Sequence, residues 1–266
     1  MNNKPVAALI FAAGKGSRMQ GFEGNKTLLP LVPTQSPFQG ERPILLNILQ
    51  SLPEGPKGLV INHKREEVIE ATKELGLTYY VQPMLNGTGG ALLAAREFVE
   101  NGKHERLIVT MGDVPFVKGS TYLEMTDTLL HSHMAVLGFT PEDRRQYGVL
   151  EMEGDRVRRI TEWKYWKEYP REKQQPLRVC NSGIYAFHTD TLIRYLPMLA
   201  ERPHKVLKER EGTMTEIQEF FVTDLVEWMD HDGLRVGAVL AEDENEVMGI
   251  DDLASLQRAQ QLSKYL

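Results

Sequence analysis

The sequence is short of several things, and each shortage removes a class of function. Its 266 residues contain a single cysteine, Cys180, so neither an intramolecular disulfide nor a cysteine-based zinc cluster can form, and a reducing compartment is expected. Basic charge is in deficit: 31 Lys and Arg against 37 Asp and Glu leave a formal charge of −6. That balance gives no broad field for a polyanion backbone, so no nucleic-acid partner is expected, although local cations can still hold small anions. No apolar run reaches the roughly 20 residues that cross a bilayer. The N-terminal MNNKPVAALIFAAGKG breaks into glycines after a short apolar stretch, without the h-region and cleavage site of a signal peptide. A soluble cytoplasmic protein with no membrane partner is therefore expected. Histidines form no cluster: His131 and His133 flank Ser132 without a third ligand nearby, which reads as a solvated pair rather than a metal site.

Alternation is what the sequence has in abundance. Apolar runs of strand length, VAALIF (6–11), GLVIN (58–62), LTYYV (77–81) and LIVTM (107–111), are separated by segments of helical period. The pattern predicts an α/β fold with a mostly parallel sheet covered by helices, in a chain long enough for one sizeable core. The segment 44–52 carries apolar residues at helical spacing after Pro43, and 66–75 is expected to bury Val68, Ile69, Ala71 and Leu75. The aromatic run TYYV reads as strand core. From about residue 134 the character changes. MAVLGFT reads as a strand, YGVLEMEGDRVRRITEW as a hairpin turning at Glu153, Gly154 and Asp155, and RVCNSGIYAF as a further strand. The charged, proline-bearing stretch 164–176 is expected to be an exposed loop. This half should extend the first sheet and wall one side of a cleft. The final DDLASLQRAQQLSKYL puts Leu253, Leu256 and Leu262 on one helical face, with Asp251 or Asp252 as N-cap.

The stretch ALIFAAGKGSRM (8–19) runs from an apolar strand into two glycines and then a cation. It is not a P-loop, because Lys15 lies between Gly14 and Gly16 and no GK[ST] follows. A dinucleotide fingerprint needs a third glycine where Met19 stands. A backbone loop around phosphates fits better: small residues at Ala12, Ala13, Gly14 and Gly16 allow close approach, and Arg18 adds a fork-shaped cation. Such a loop suits a triphosphate. Taken alone, the stretch reads equally well as a glycine turn with Arg18 solvated.

Further motifs follow in a particular order. LxxAAGxGSRM (9–19), KTLLPL (26–31), QPMLNGTGGA (82–91), MGDVPF (111–116), YGV (147–149), EWK (162–164), NSGIYAF (181–187), FVTD (221–224) and GID (249–251) together cover nearly the whole chain. Individually weak, in this order they resemble the sugar nucleotidylyltransferase family, most closely the uridylyltransferase domain of bacterial UDP-N-acetylglucosamine pyrophosphorylases. The resemblance implies a single Rossmann-like, glycosyltransferase-A-like domain over residues 1–266, with 1–133 mainly binding nucleotide and 134–266 mainly binding sugar. It also implies transfer of a nucleoside monophosphate from an NTP, UTP by the closest pattern, to a sugar 1-phosphate such as N-acetylglucosamine 1-phosphate or glucose 1-phosphate. Pyrophosphate is released and Mg2+ is the cofactor.

By the same resemblance, Arg18 and Lys26 are the catalytic cations. Ala12, Ala13, Gly14, Gly16, Gln82, Gly87 and Thr88 hold the nucleotide, the last three at a pyrimidine edge. Gly148, Glu162, Lys164, Asn181 and Thr223 hold the sugar phosphate, with Lys164 on the phosphate. Asp113 and Asp251 hold the metal; read singly, Asp113 is more readily a turn residue before Pro115 and Asp251 a helix cap, and the ordered set of motifs reverses that preference. Because the attacking phosphate oxygen is already ionised near neutral pH, no activated serine, cysteine or histidine is needed, and catalysis rests on alignment and charge. The sequence departs from the family pattern at three places: Gly90 where GTGHA has histidine, Val149 where YGR has arginine, and Asp251 where GVN has asparagine. The best-known relatives also carry an acetyltransferase of hexapeptide repeats, which these 266 residues do not contain, so no acetyl transfer is implied. A cytidylyltransferase with another phosphorylated acceptor and a non-catalytic nucleotide-sensing subunit remain alternatives, and a homo-oligomer is left open.

Overall fold

A computed structural model describes residues 5–210 and 213–265. Strand β1 (Ala7–Ala12) is the first apolar run, and Ala7, Ala8, Leu9 and Ile10 in it have no solvent exposure. A loop and one 3-10 turn (Lys26–Leu28) lead to a separate hairpin of β2 (Pro30–Ser36) and β3 (Gln39–Pro43), and α1 (Ile44–Ser51) follows directly. Next come β4 (Lys57–Ile61), α2 (Arg65–Thr72) and β5 (Thr78–Val81), then α3 (Thr88–Ala94), α4 (Arg96–Asn101), β6 (Arg106–Met111) and α5 (Gly119–Thr128). The second half holds β7 (Met134–Phe139), a hairpin of β8 (Val149–Glu153) and β9 (Arg156–Thr161), and two short helices, α6 (Trp163–Trp166) and α7 (Arg171–Gln174). It continues with β10 (Cys180–His188) and α8 (Thr189–Glu201). A two-stranded arm, β11 (His204–Arg210) with β12 (Thr213–Glu219), precedes α9 (Asp224–His231), β13 (Val236–Leu240) and α10 (Leu253–Leu262). Among the described residues no helix is long and apolar enough to cross a membrane.

Nine strands form one sheet in the order β5-β4-β1-β6-β10-β7-β13-β9-β8. The first four are mutually parallel, as near-continuous apolar runs require when both faces are covered. β10 then enters antiparallel to β6 and β7, which makes the sheet mixed. Alternate residues of β1 serve opposite faces: Ala8 and Ile10 pack with Leu45 and Met125, while Ala7 and Leu9 pack with Leu92 and Leu196. Each fully buried Leu or Ile contributes about 1.5–3 kcal/mol. The chain adds β4 and β5 on one side of β1 and returns with β6 on the other. That reversal opens a crevice at the carboxyl ends of β1 and β6, where open α/β sheets hold ligands. The two strand ends are tied by Gly112 N–H donating to Phe11 O at 2.9 Å.

Four local expectations are corrected. In α2 only Val68 and Thr72 are buried, while Ile69, Ala71 and Leu75 are exposed; the helix lies beside the sheet edge, where a narrow i, i+4 stripe is all that meets the core. Thr72 Oγ1 donates to Val68 O and pairs with Tyr79 Oη at 2.9 Å. For the same reason TYYV is only half covered, because β5 pairs with β4 alone. The stretch 164–176 is not loop throughout: Trp166 is buried, donates Nε1–H to Tyr147 O at 2.8 Å and lies under Arg144, so it folds the flanking residues into α6. In α10, Asp252 is the N-cap, in a reciprocal capping box with Ser255. Leu256, Ala259 and Gln260 form its buried face, Leu253 is exposed, and Gln260 Nε2 donates to Pro30 O and Pro37 O.

The α2 assignment is tested by two truncations followed by urea unfolding. Val68→Ala removes fully buried methyl groups and is expected to cost about 2 kcal/mol. Ile69→Ala on the same helix should stay within about 0.5 kcal/mol of the parent; equal losses would contradict the one-stripe packing.

Candidate active site

The crevice is organised around one ammonium. Asn25, 1% exposed, accepts from Thr27 N and Thr27 Oγ1 and donates Nδ2–H to His63 O, which fixes the 3-10 turn that aims Lys26. Lys26 Nζ donates to Asp113 Oδ2 at 2.5 Å and to Asp251 Oδ1 at 3.1 Å. Asp113 stands just beyond β6, and Asp251 just before α10. Ile250 N–H donates to Asp113 O at 2.9 Å, stitching the two carboxylate-bearing segments together. Burial works against the charged lysine, but the two carboxylates outweigh it and raise its pKa. Arg18 is solvent-facing and reaches Asp251 Oδ2 at 3.6 Å. Gly16 has φ +62°, and a Cβ there would stand 3.1 Å from Lys26 Cβ, so the glycine loop folds directly over the Lys26 stem. The loop leads into the short 3-10 turn at Lys26–Leu28 and not into an α-helix.

Asp113 and Asp251 thus converge on one point although 138 residues separate them (251 − 113). Among the described residues no group of three His, Cys, Asp or Glu side chains is placed to hold a metal. Two carboxylates still fit Mg2+, which commonly takes one or two protein carboxylates and completes its octahedron with water and substrate phosphate oxygens.

Beside this cluster lies a cleft of 420 Å3 lined by Ala12, Ala13, Gly14, Lys26, Gln82, Gly87, Thr88 and Asp113, all singled out from sequence. Gly16 and Arg18 are not among its lining residues. Gln82, 4% exposed, closes one end. The segment carrying Gly87 and Thr88 is held by the chain entering α9: Gly89 N–H donates to Phe220 O, Phe220 N–H to Asn86 O, and Val222 N–H to Thr88 Oγ1. Glu219 and Phe221 complete the wall.

A second cleft of 750 Å3 contains Glu162, Lys164 and Thr223, together with Arg159, His204 and Asp224. Phe221 lines both clefts. Burial raises the Glu162 carboxyl pKa, with Lys164 opposing and Asp224 adding to the effect. Burial also raises Asp224, although His204 Nε2 lies 2.8 Å from its Oδ2. Gly148 abuts Glu162, a Cβ there standing 3.3 Å from Glu162 Oε2. Asn181 is tied to Gly148 by N–H donation to its carbonyl at 2.8 Å but lines neither cleft. It sits at a bulge in β10, where its Oδ1 accepts from Gly183 N and its Nδ2 donates to Tyr185 Oη. Sequence reasoning passed over Glu219, Phe221, His204 and Asp224. The FVTD motif carried a signal for Phe221 and Asp224; the charged strand β11 gave none for His204.

A family model described as the MobA-like NTP transferase domain matches residues 8–208. The chain is 32% identical over 267 residues to the bifunctional protein GlmU of Sphingopyxis alaskensis, covering 97% of this chain and 52% of that protein. It is 31% identical over 268 residues to the bifunctional protein GlmU of Syntrophotalea carbinolica, covering 99% and 52% respectively. The chain therefore spans about half the length of the curated relatives it matches. Among solved structures it resembles a putative glucose-1-phosphate thymidylyltransferase from Bacillus anthracis, with TM-score 0.69, 21% identity and coverage of 98% of this chain and 96% of that one. It also resembles the uridine diphosphate N-acetylglucosamine pyrophosphorylase of Trypanosoma brucei, with TM-score 0.71, 12% identity and coverage of 97% and 65%. These two likenesses concern the fold. The family model, which spans most of the sequence, shows that the chain belongs to the MobA-like NTP transferase domain family.

Proposed function

We propose that this protein transfers a nucleoside monophosphate from an NTP, UTP in the first instance, to a sugar 1-phosphate, giving a nucleotide sugar and pyrophosphate. The observation that carries the reading is the convergence of Lys26, Asp113 and Asp251 at the carboxyl ends of β1 and β6, beside the glycine loop. Folding alone has little use for three charged side chains gathered at a ligand crevice. A triphosphate entering the cleft would meet two carboxylates, which repel it. Arg18 and Lys26 offset only that much charge, so a further cation is needed. Asp113 and Asp251 are the residues that would hold Mg2+, which when bound neutralises phosphate charge and aligns the reacting groups.

The chain's own groups divide the remaining work. Backbone N–H groups at 12–16 cradle phosphate oxygens, and Lys26 and Arg18 stabilise the charge that builds on the pyrophosphate leaving group. Gln82, Gly87 and Thr88 border the base. Glu162 accepts from sugar hydroxyls, Lys164 neutralises the acceptor phosphate, and Gly148, Asn181 and Thr223 shape that side. The sugar phosphate oxygen attacks the α-phosphorus in line without a general base. Pyrophosphate release, measured across UTP, CTP, dTTP, ATP and GTP with several sugar 1-phosphates, tests the assignment. Turnover with UTP and a sugar 1-phosphate that stops with EDTA and returns with Mg2+ is the expected result; turnover only with CTP or with a non-sugar phosphate would replace it.

Lys26→Met should lower kcat by about 10²–10³-fold, the usual loss for one well-placed transition-state donor, while near-UV circular dichroism keeps the native signal. A kcat within a few-fold of the parent would remove Lys26 from the chemistry. The raised Glu162 carboxyl gives a second expectation. It protonates as pH falls while ordinary carboxylates are still ionised, so it loses its negative charge, and with it the stronger charge-assisted acceptance, first. KM for the sugar phosphate should rise on the acid side above the usual carboxylate range, and Glu162→Gln should flatten that rise.

A further inference from the structure

The base-side loop departs from the family pattern at Gly90, and packing supplies the cause. Gly90 lies inside α3, where alanine would normally be preferred. A Cβ at Gly90 would overlap Asn86 Oδ1. The Asn86 side chain therefore fills the volume that any other residue at position 90 would claim. Asn86 Oδ1 accepts from Gln82 Nε2 at 3.0 Å, and the same nitrogen donates to Gly87 O at 3.2 Å. A backbone carbonyl only accepts, so this contact fixes which end of the Gln82 amide faces the loop. Gln82 Oε1, to which no described residue donates, is left as the free edge of a side chain that lines the nucleotide cleft.

We propose that Asn86 is a positioning residue for base selection and that Gly90 is the gap that admits it. Together they hold Gln82 with its acceptor toward the ligand. The site then favours a base that offers a ring N–H on its pairing edge, as uracil does, over cytosine, whose corresponding ring nitrogen accepts. This rests on the nucleotidyl-transfer reading above. Without Asn86 the Gln82 amide keeps only the longer contact to Gly87 O, and its orientation is held less firmly.

The ratio of kcat/KM for UTP over CTP, paired with the same ratio of calorimetric affinities, tests the device. Asn86→Ala is expected to lower the ratio about tenfold, the scale of one hydrogen bond, with KM for the sugar phosphate unchanged. Asn86→Asp keeps an acceptor oxygen and should keep the ratio. Gly90→Ala alone should lower both the melting temperature and the ratio, whereas in the Asn86→Ala background it should cost no stability, a non-additivity that marks the shared volume. An unchanged ratio in folded Asn86→Ala or in the folded double variant overturns the proposal and leaves nucleotidyl transfer standing. A wild type that prefers CTP, or binds neither nucleotide, also overturns it. A wild type that transfers no nucleotide overturns the reaction assignment, and the affinity ratios still decide the role of Asn86.

Discussion

A lysine ammonium held between two carboxylates is the constraint on which the site depends. Lys26 lies 87 residues from Asp113 and 225 from Asp251, so the cluster exists only when three remote segments are docked together. Burying one cation with two anions is costly unless every charge is met, and truncating one partner of such a cluster leaves an uncompensated charge. The packing of α10 therefore helps to assemble the cluster. Gln260 clamps that helix to the β2–β3 hairpin through two carbonyls, Asp252 caps its first turn, and Asp251, one residue earlier, is freed to face Lys26. The 3-10 turn pinned by Asn25 makes the matching contribution from the other end of the chain.

Connectivity of the same kind links the two clefts. Residues 219–224 run along both: Glu219 lines the smaller cleft, Thr223 and Asp224 the larger, and Phe221 lines each. That segment is bonded through Phe220 and Val222 to the loop that carries Gly87 and Thr88. Two backbone hydrogen bonds and one to the Thr88 hydroxyl therefore join the Gly87–Thr88 loop to the wall that the two clefts share.

The central strands and the glycine loop were legible in the sequence because their signals are local: continuous apolar runs bounded by glycine, proline and charge. The carboxyl end of β6 was legible for the same reason, and with it Asp113. What was not legible depends on neighbours that periodicity does not record. The pattern in α2 marks Ile69 and Leu75 as apolar without saying that the sheet ends beside them. Asp251 and Asp252 are chemically equal in the sequence, and only Lys26 on one side and the Ser255 amide on the other divide them into site residue and cap. The antiparallel entry of β10, with the bulge that engages the Asn181 amide, arises from pairing between distant strands. The charged strands of the β11–β12 arm carry too little apolar alternation to announce that His204 meets Asp224.

The three departures from the family pattern are each tied to a particular neighbour. Val149 is fully buried where β8 pairs with both Thr161 and Cys180; an arginine there would need a buried counter-charge, and the Cys180 thiol, itself pushed by burial to about 11, supplies none. Asp251 gives Lys26 a second carboxylate, which helps keep the ammonium charged despite its burial. Gly90 yields its side-chain volume to Asn86. Asp251 and Gly90 do not themselves line the smaller cleft; each touches a residue, or the partner of a residue, that does: Asp251 meets Lys26, and Gly90 makes room for Asn86, which accepts from Gln82.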